Sequence, residues 1–476
     1  MTDHYQVKGG LRFDPLPFGD VETAPLPARV SIAVDQQALL TVAVGDTVLA
    51  GQMLHKDADN LVMQHASISG IVSDIDNHKV SIESDGLDKP YIHNNPAPDT
   101  ARQFETLCRQ MGLVGLGGAI YPVHRKLAAA RQAGGIETLL INAAECDPAI
   151  YCDEALILAN AKQVASGIAL TWKLSEAKQC IVGIEENKTD AANLLKKHLP
   201  SQINIFTVPA IYPSGAENTL YTLCTGKTGG LRKNKSVCFN VATCYSIHNA
   251  VEHAQPLVSR ILTTVSKDNV RNIEVRIGTS IAELAEQFKL AGDQIIHGGK
   301  MMGVAVGKDF YINKSTNSLT FGHAEISKSV PCIRCGACEE VCPEHLSPQH
   351  LHWHSASFNP QALTELRLHN CIECACCDQV CPSHIELARQ FSTAKQLMQQ
   401  QKAAQEKADL AKQRYENRLT RLNNQSVRQR RQLDHKTTLL SQSEDPDQLK
   451  KELIAKALKK NKKKVPLSKK HPPHHD

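Results

Sequence analysis

Cys332-Ile-Arg-Cys335-Gly-Ala-Cys338-Glu-Glu-Val-Cys342-Pro343 is followed downstream by Cys371-Ile-Glu-Cys374-Ala-Cys376-Cys377-Asp-Gln-Val-Cys381-Pro382, the same spacing written twice. Each run sets three thiolates on a tight loop around one iron–sulfur cubane, and the fourth cysteine, ahead of a proline, ligates the other cluster. The spacing therefore predicts a crossed assignment. Cys332, Cys335, Cys338 and Cys381 hold one 4Fe–4S cluster, and Cys371, Cys374, Cys377 and Cys342 hold the other. Crossing requires two pseudo-symmetric halves folded together, which brings the clusters close enough for electrons to pass between them. Structural zinc sites pair Cys-x-x-Cys knuckles across a longer gap, and disulfide frameworks belong to small secreted chains, so neither fits. Cys376 leaves a slipped register open. Matching the first run favours Cys377 and makes Cys376 a buried bystander thiol.

At 476 residues the chain has room for roughly three or four domains. No apolar core follows the N-terminal Met1-Thr-Asp-His, so no secretory signal is expected. The best apolar run, near Leu113 to Val123, is short and broken by glycines, well below the ~18 to 20 residues of a membrane span. Seven further cysteines (Cys108, Cys146, Cys152, Cys180, Cys224, Cys238 and Cys244) show no pairing pattern and read as core thiols. The net charge of +5 hides a split. Residues 391–476 carry 21 Lys and Arg against 9 Asp and Glu, a net +12, which leaves −7 for the rest. Residues 393–476 form a charged tail, expected as a solvated helix or a disordered segment without a coiled-coil stripe. Its basic end, Lys459 to Lys464 with Lys469 and Lys470, could touch an anionic membrane surface or serve only solubility. No aromatic or glycine–arginine interleaving supports nucleic acid as a partner.

The remaining chain divides by pattern. Residues 1–100 read as short strands and turns, with Val42 to Val44, a Gly45-Asp46 turn and Thr47 onward as a hairpin, and His65 to Val72 as a further β element. They resemble the biotinyl/lipoyl barrel-sandwich fold, but Asp57-Ala-Asp-Asn60 at the hairpin tip holds no lysine for a swinging arm. Residues 101–265 alternate strands (137–142, 179–184, 203–208) with helices (153–172), the mark of an open α/β sheet whose ligands sit at the carboxyl ends of its strands. Residues 266–325 read as a small α/β insert, with a strand over 273–277 and a helix over 281–290. The cysteine domain occupies 326–392.

Gly115-Leu-Gly117-Gly118-Ala-Ile-Tyr-Pro122 precedes a helix over 123–132 with Lys126 near its start. Bare glycines let backbone amides approach a phosphate, the helix N-terminus favours an anion, and Lys126 adds a point charge. The loop is not G-x-G-x-x-G, and Gly226-Lys227-Thr228 is not a P-loop. Spacing alone leaves a nucleotide-type site and a plain tight turn equally open.

The glycine loop is followed in order by Asn142-Ala-Ala-Glu145-Cys-Asp147-Pro148, Tyr212-Pro-Ser-Gly215-Ala-Glu217-Asn218 and Asn240-Val-Ala-Thr243. The set resembles the NADH- and FMN-binding subunit of respiratory complex I, and more closely the RnfC/RsxC family of the Rnf (Rsx) ion-translocating electron-transport complex. The resemblance covers about residues 1–392. It implies a multidomain α/β and α+β chain: a barrel-sandwich module, a Rossmann-like flavin domain, a β-grasp (SLBB) domain and a two-cluster ferredoxin-like domain. By matching position, Gly115, Gly117, Gly118 and Lys126 would hold the FMN phosphate. Asn142 and Glu145 would lie at a strand end near the flavin, and Asn240 near its ribityl chain or phosphate. Tyr212, Gly215 and Glu217 would border the cleft where nicotinamide stacks. Ala144 and Ala216 stand where the complex I pattern is acidic, so this cleft carries less negative charge.

The resemblance further implies a peripheral subunit on the cytoplasmic side of the bacterial inner membrane, partnered by other subunits of an ion-translocating complex. NADH would deliver two electrons as hydride, and FMN would pass them singly to the two 4Fe–4S clusters. No protein acid, base or nucleophile is needed. The alternative is a soluble two-cluster electron carrier or adaptor in which the Gly115 loop is only structural.

Overall fold

The computed structural model describes residues 9–57, 62–76, 78–267, 269–323, 328–443 and 445–462. The hairpin-tip residues 58–60, the N-terminal Met1 to Lys8, and the terminal Lys463, Lys464, Lys469 and Lys470 lie outside them. The chain forms two units, Met1–Ala394 and Lys395–Asp476.

In the first unit, β1 (Phe18–Thr23) leads into a four-stranded antiparallel sheet of β2 (Arg29–Ala33), β3 (Thr47–Val48), β4 (Gly70–Asp76) and β5 (Lys79–Ser84), in the order β2-β5-β4-β3. Val30, Ile32, Val48, Leu54, Ile68, Val72, Val80 and Ile82 close its core. The expected strand over residues 42–44 does not form. Asp46 folds back so that its carboxylate accepts from the Ala43 amide, which makes this stretch a turn.

After α1 (Ala101–Gln110) and α2 (Val123–Gln132), four parallel strands build the α/β domain: β6 (Thr138–Ala143), β7 (Gln179–Glu185), β8 (Asn204–Val208) and β9 (Ser236–Asn240). The intervening helices are α3 (Cys152–Leu174), α4 (Thr189–His198), α5 (Glu217–Thr225) and α6 (Gly230–Lys233), and α7 (Val241–Glu252) follows β9. Because strand residues alternate faces, Leu139 and Ile141 pack with α3 and α7 while Leu140 packs with Leu220 and Tyr221 of α5. Burial on both faces is why Thr138-Leu-Leu-Ile reads as an unbroken apolar run. The strand order β8-β7-β6-β9 places a topological switch point between β6 and β9, and in such sheets a crevice opens at the carboxyl ends there.

The third sheet combines β10 (Ser259–Ser266), β11 (Asn269–Arg276), β12 (Gln294–His297), β13 (Val304–Val306) and β14 (Ser318–Gly322) with helix α8 (Ile281–Phe288) laid across it. Its strand order is β1-β11-β10-β14-β12-β13. Strand β1 pairs in parallel with β11, and β10 pairs along its length with β11 across residue 266, so both neighbouring segments contribute strands to this sheet. The cysteine domain follows, with short helices α9 (Ala337–Glu340), α10 (Pro348–Ala356), α11 (Pro360–Glu365) and α12 (Cys376–Gln379).

Helix α13 (Leu387–Ser441) starts in this unit, where Leu387, Phe391 and Ala394 are buried. The second unit consists of the rest of that helix and α14 (Pro446–Lys462), and none of its described side chains is buried. It is a solvated helix without an apolar stripe. No helix among the described residues is long and apolar enough to cross a membrane.

One buried cation joins three of the domains. Lys314 Nζ donates at 2.9 Å to the carbonyls of Met63 in the barrel sandwich and Gly112 after α1, while the Lys314 carbonyl accepts from Arg260 of β10. Both Nζ acceptors are neutral, and burial pushes the Lys314 pKa down to about 7. An unfolded lysine titrates near pH ~10.4, so between about pH 7 and 10 the unfolded chain binds the extra proton. Stability contributed by this group therefore rises with pH across that window, by up to about 1.4 kcal/mol per pH unit. Urea unfolding of the intact chain at pH 7 and pH 9.5 should show this gain in the wild type and a flatter profile in Lys314→Met. Equal slopes would contradict the assignment.

Candidate functional site

Asn142 and Asn240 are register partners at the ends of β6 and β9, so the switch point is lined by two carboxamides. Each is held by local geometry. Asn240 caps α7, its Oδ1 accepting from the Ala242 amide at 2.8 Å, while its Nδ2 donates to the buried Asp153 carboxylate. Asn142 Oδ1 accepts from Ala144 N at 2.9 Å, and its Nδ2 donates to the Gly215 carbonyl at 2.9 Å. The glycine loop is anchored below by Leu116, whose amide donates to Thr243 Oγ1 of α7 at 3.0 Å. Above that anchor Gly117 to Tyr121 are exposed. Gly117 approaches the Asn240 side chain, and Gly118 sits at φ 107° with open space where a Cβ would point. This backbone is one that L side chains rarely adopt, and it leaves the main chain bare on its outer face.

Around this crevice the remaining residues separate. Lys126 Nζ donates to Cys238 O on edge strand β9 at 2.6 Å and to Glu217 Oε1 at the start of α5 at 2.8 Å. Gly215 fits against the Ala144 carbonyl, where a Cβ would come within 2.7 Å, so a larger residue would push the 144 and 215 segments apart. The Glu145 carboxylate does not open into the crevice. It accepts from the amides of Asp153 and Glu154 in the first turn of α3 and faces Lys188. The Tyr212 hydroxyl donates to the Cys374 carbonyl at 2.9 Å.

Lys188, which no motif marks, lies 3.1 Å from Glu185 and 3.6 Å from both Glu145 and Glu154, with its own side chain 5% exposed. Burial opposes its charge, but the three carboxylates outweigh burial and raise its pKa. Asp153, equally unmarked, is pushed up to about 7 by burial and by the Glu145 carboxylate. Only the fold assembles these two, since β7, α3 and the loop after β6 supply them separately.

In the cysteine domain the two runs repeat in backbone as well as in sequence. Arg334 and Glu373 have φ 61° and 58°, Gly336 and Ala375 83° and 59°, and His345 and His384 51° and 50°. That register aligns Cys377 with Cys338 and Cys376 with Ala337. The halves cross: Val330 N donates to the Ser383 carbonyl at 3.0 Å and Ser383 Oγ to the Pro331 carbonyl at 3.1 Å, tying the start of the first run to the end of the second. Cys342 of the first run lines one pocket with Cys371, Cys374, Cys376 and Cys377 of the second. Cys376 is fully buried and packs with Tyr212, Met301 and Cys374. Of the seven other cysteines, six are buried, Cys146 is half-buried, and all are unpaired.

Residues 19–95 match the RnfC barrel sandwich hybrid domain, residues 108–249 the Nuo51 FMN-binding domain and residues 331–385 the 4Fe-4S dicluster domain. The chain is 34% identical over 365 residues to the C subunit of the proton-translocating ferredoxin:NAD(+) oxidoreductase complex of Clostridium ljungdahlii, covering 70% of this chain and 79% of that one. This chain belongs to the RnfC family. It is also 36% identical over 437 residues to the C subunit of the ion-translocating oxidoreductase complex of Pseudomonas aeruginosa, covering 84% of this chain and 56% of that one, so it spans little more than half of that relative. A solved NAD+-reducing NiFe-hydrogenase is similar over 64% of this chain and 63% of that chain, with TM-score 0.42 and 13% identity.

The groups held by RnfC-type domains fit what is present. A flavin phosphate needs bare backbone at a helix start, which the exposed Gly117–Tyr121 loop ahead of α2 provides. For the cysteines, a tetrahedral zinc at about 2.3 Å per bond would hold its sulfurs about 3.8 Å apart. Among the described residues the one group of three potential ligands within 4.8 Å of one another is Glu145, Cys152 and Asp153. Among the described residues, no three of the run cysteines lie as close together as one zinc ion would hold them.

Replacing Lys188 by methionine leaves Glu145 and Glu185 buried without a counter-ion, a loss of about 3–5 kcal/mol. A drop of this size in urea-unfolding stability is expected, and a loss under about 1 kcal/mol would show the carboxylates to be solvated.

Proposed function

We propose that this chain is the peripheral electron-input subunit of a membrane-bound, ion-translocating oxidoreductase complex, passing electrons between NADH and two 4Fe–4S clusters through FMN. The observation that carries the reading is the exposed glycine loop, anchored on α7 beside the reversal of strand order, in the same compact unit as the twin cysteine runs. Gly115, Gly117 and Gly118 present backbone to the FMN phosphate, and Lys126 supplies a cation. The Glu217 that now pairs with Lys126 is half exposed, so this pair is worth no more than about 1 kcal/mol and can open. Asn142 and Asn240 offer carboxamides to the flavin, and Gly215 and Glu217 flank the nicotinamide. Tyr212 and Glu145 act from behind, holding the loops that frame the cleft.

FMN, held there, would supply the chemistry that converts a hydride from NADH into single electrons. The protein supplies position and electrostatics. Cys332, Cys335, Cys338 and Cys381 hold one cluster, and Cys342, Cys371, Cys374 and Cys377 the other, while Cys376 holds neither. The protein sits on the cytoplasmic face of the inner membrane against partner subunits, and its basic tail contacts anionic lipid. A second reading, an adaptor without flavin, is favoured by one observation: Lys126 already satisfies the Cys238 carbonyl on an edge strand, which is a structural duty.

Anaerobically purified protein should show flavin absorbance that NADH bleaches. Lys126→Met should weaken FMN binding roughly 10- to 100-fold, the value of a charge-assisted hydrogen bond of about 1.5–3 kcal/mol. Gly117→Val should abolish binding, and iron content should be unchanged in both. A cluster shoulder without flavin, even after FMN is added, would support the adaptor.

A further inference from the structure

The two cysteine sets are not placed alike with respect to the flavin crevice. Among the described residues, the hydrogen bonds and apolar contacts between the α/β domain or the N-terminal segment and the cysteine loops include Cys374, Val341 and Cys342, residues of or next to the second set. The Tyr212 hydroxyl donates to the carbonyl of Cys374. Cys374 and Cys376 share an apolar cluster with Tyr212 and Met301, against which Leu11, Phe13, Cys146 and Val341 pack. Gly10 N donates to the Val341 carbonyl at 2.9 Å, Leu11 pairs with Tyr212, and a Cβ on Gly9 would meet the Cys342 carbonyl at 2.9 Å. From Tyr212 the chain runs three residues to Gly215, whose carbonyl accepts from Asn142 on the crevice wall. The first set is the more open of the two: Cys335 is exposed, and Ile333 and Val330 beside Cys332 are 65% and 49% exposed, whereas Cys374 and Cys377 of the second set are buried.

We infer that Cys342, Cys371, Cys374 and Cys377 form the inlet of the relay, joined to the flavin crevice through Tyr212, and that Cys332, Cys335, Cys338 and Cys381 form its outlet. The inference rests on the flavin reading above and deepens it. Tyr212 is a positioning residue. Its ring fills the contact, its hydroxyl fixes the Cys374 loop, and the fully buried Cys376 packs with it in the same apolar cluster as Cys374. The balance is that NADH yields NAD+, one proton and two electrons, and each cluster takes one electron. The adjacency is the same whichever way net flow runs.

Cluster-specific variants test the order in anaerobic protein loaded with FMN and iron. Each preparation is mixed with NADH, and reduced clusters are read by low-temperature EPR, with dithionite giving the reducible total. In Cys335→Ser the inlet cluster should still reduce at the wild-type rate. In Cys371→Ser the outlet cluster should reduce with dithionite but at least tenfold more slowly with NADH. The opposite pattern, or equal rates in both, overturns the inference. Flavin bleaching is followed in the same samples: if NADH leaves the flavin oxidised, it is the flavin reading that fails. Should either cysteine variant lose both clusters, Tyr212→Phe decides. It keeps the ring and should alter the EPR line shape and midpoint potential of the inlet cluster alone. A change confined to the outlet cluster, or no change, contradicts the assignment.

Discussion

The side chain of Asn240 occupies the one point where strand, helix and loop must agree. It ends β9, caps α7, donates to Asp153 of α3 and lies against Gly117 of the glycine loop. Each partner alone is an ordinary local contact worth about 1 kcal/mol. Together they fix the glycine loop over the gap that the reversal of strand order opens between β6 and β9. A parallel sheet wound the same way throughout would have no such gap, and the exposed Gly117–Tyr121 backbone would have nothing to face.

The rest of the unit follows from keeping that crevice in register with the cysteine loops. The N-terminal segment does much of this work: residues 9–13 run between Tyr212 and the Val341–Cys342 backbone, and residues 18–23 then complete the third sheet. Asp147, just past the crevice, accepts from the amides of Lys300 and Met301, so the turn after β12 is pinned to the α/β domain. Lys314 does the same for the barrel sandwich. The Asp147 and Lys314 links each join backbone to backbone through a polar side chain, which fixes geometry more tightly than apolar packing alone.

Much of this is legible in the sequence because it depends on local rules. The cysteine spacing, the apolar 137–142 and 179–184 strands and the helix at 123–132 all follow from periodicity and loop chemistry, and the structure matches them within a residue or two. What the sequence hides depends on pairing across long separations. Nothing in residues 18–23 announces a parallel partner in β11, and β10 looks like the end of the α/β domain until its hairpin is seen. Lys188 and Asp153 have no motif because their partners come from three separate elements. Glu145 and Tyr212 stand in recognisable motifs, but the motifs do not name their partners: the first turn of α3 and Lys188 for Glu145, and the Cys374 carbonyl for Tyr212. Position in a motif fixes the backbone, while rotamer and burial decide where a side chain points. The register around Cys376 is ambiguous in one dimension. The matching left-handed residues at Gly336 and Ala375 align the two loops and pair Cys377 with Cys338.

If one crevice and two crossed cysteine sets form a continuous relay within Met1–Ala394, diffraction at the iron absorption edge shows it most directly, from crystals of the flavin-loaded protein grown without oxygen. It should place two iron clusters, each bonded to three cysteines of one run and one of the other. Flavin density should lie between Gly117, Asn142 and Asn240, nearer the cluster that holds Cys374. Four cysteines of a single run around one cluster, or flavin density away from the β6–β9 switch point, would contradict it.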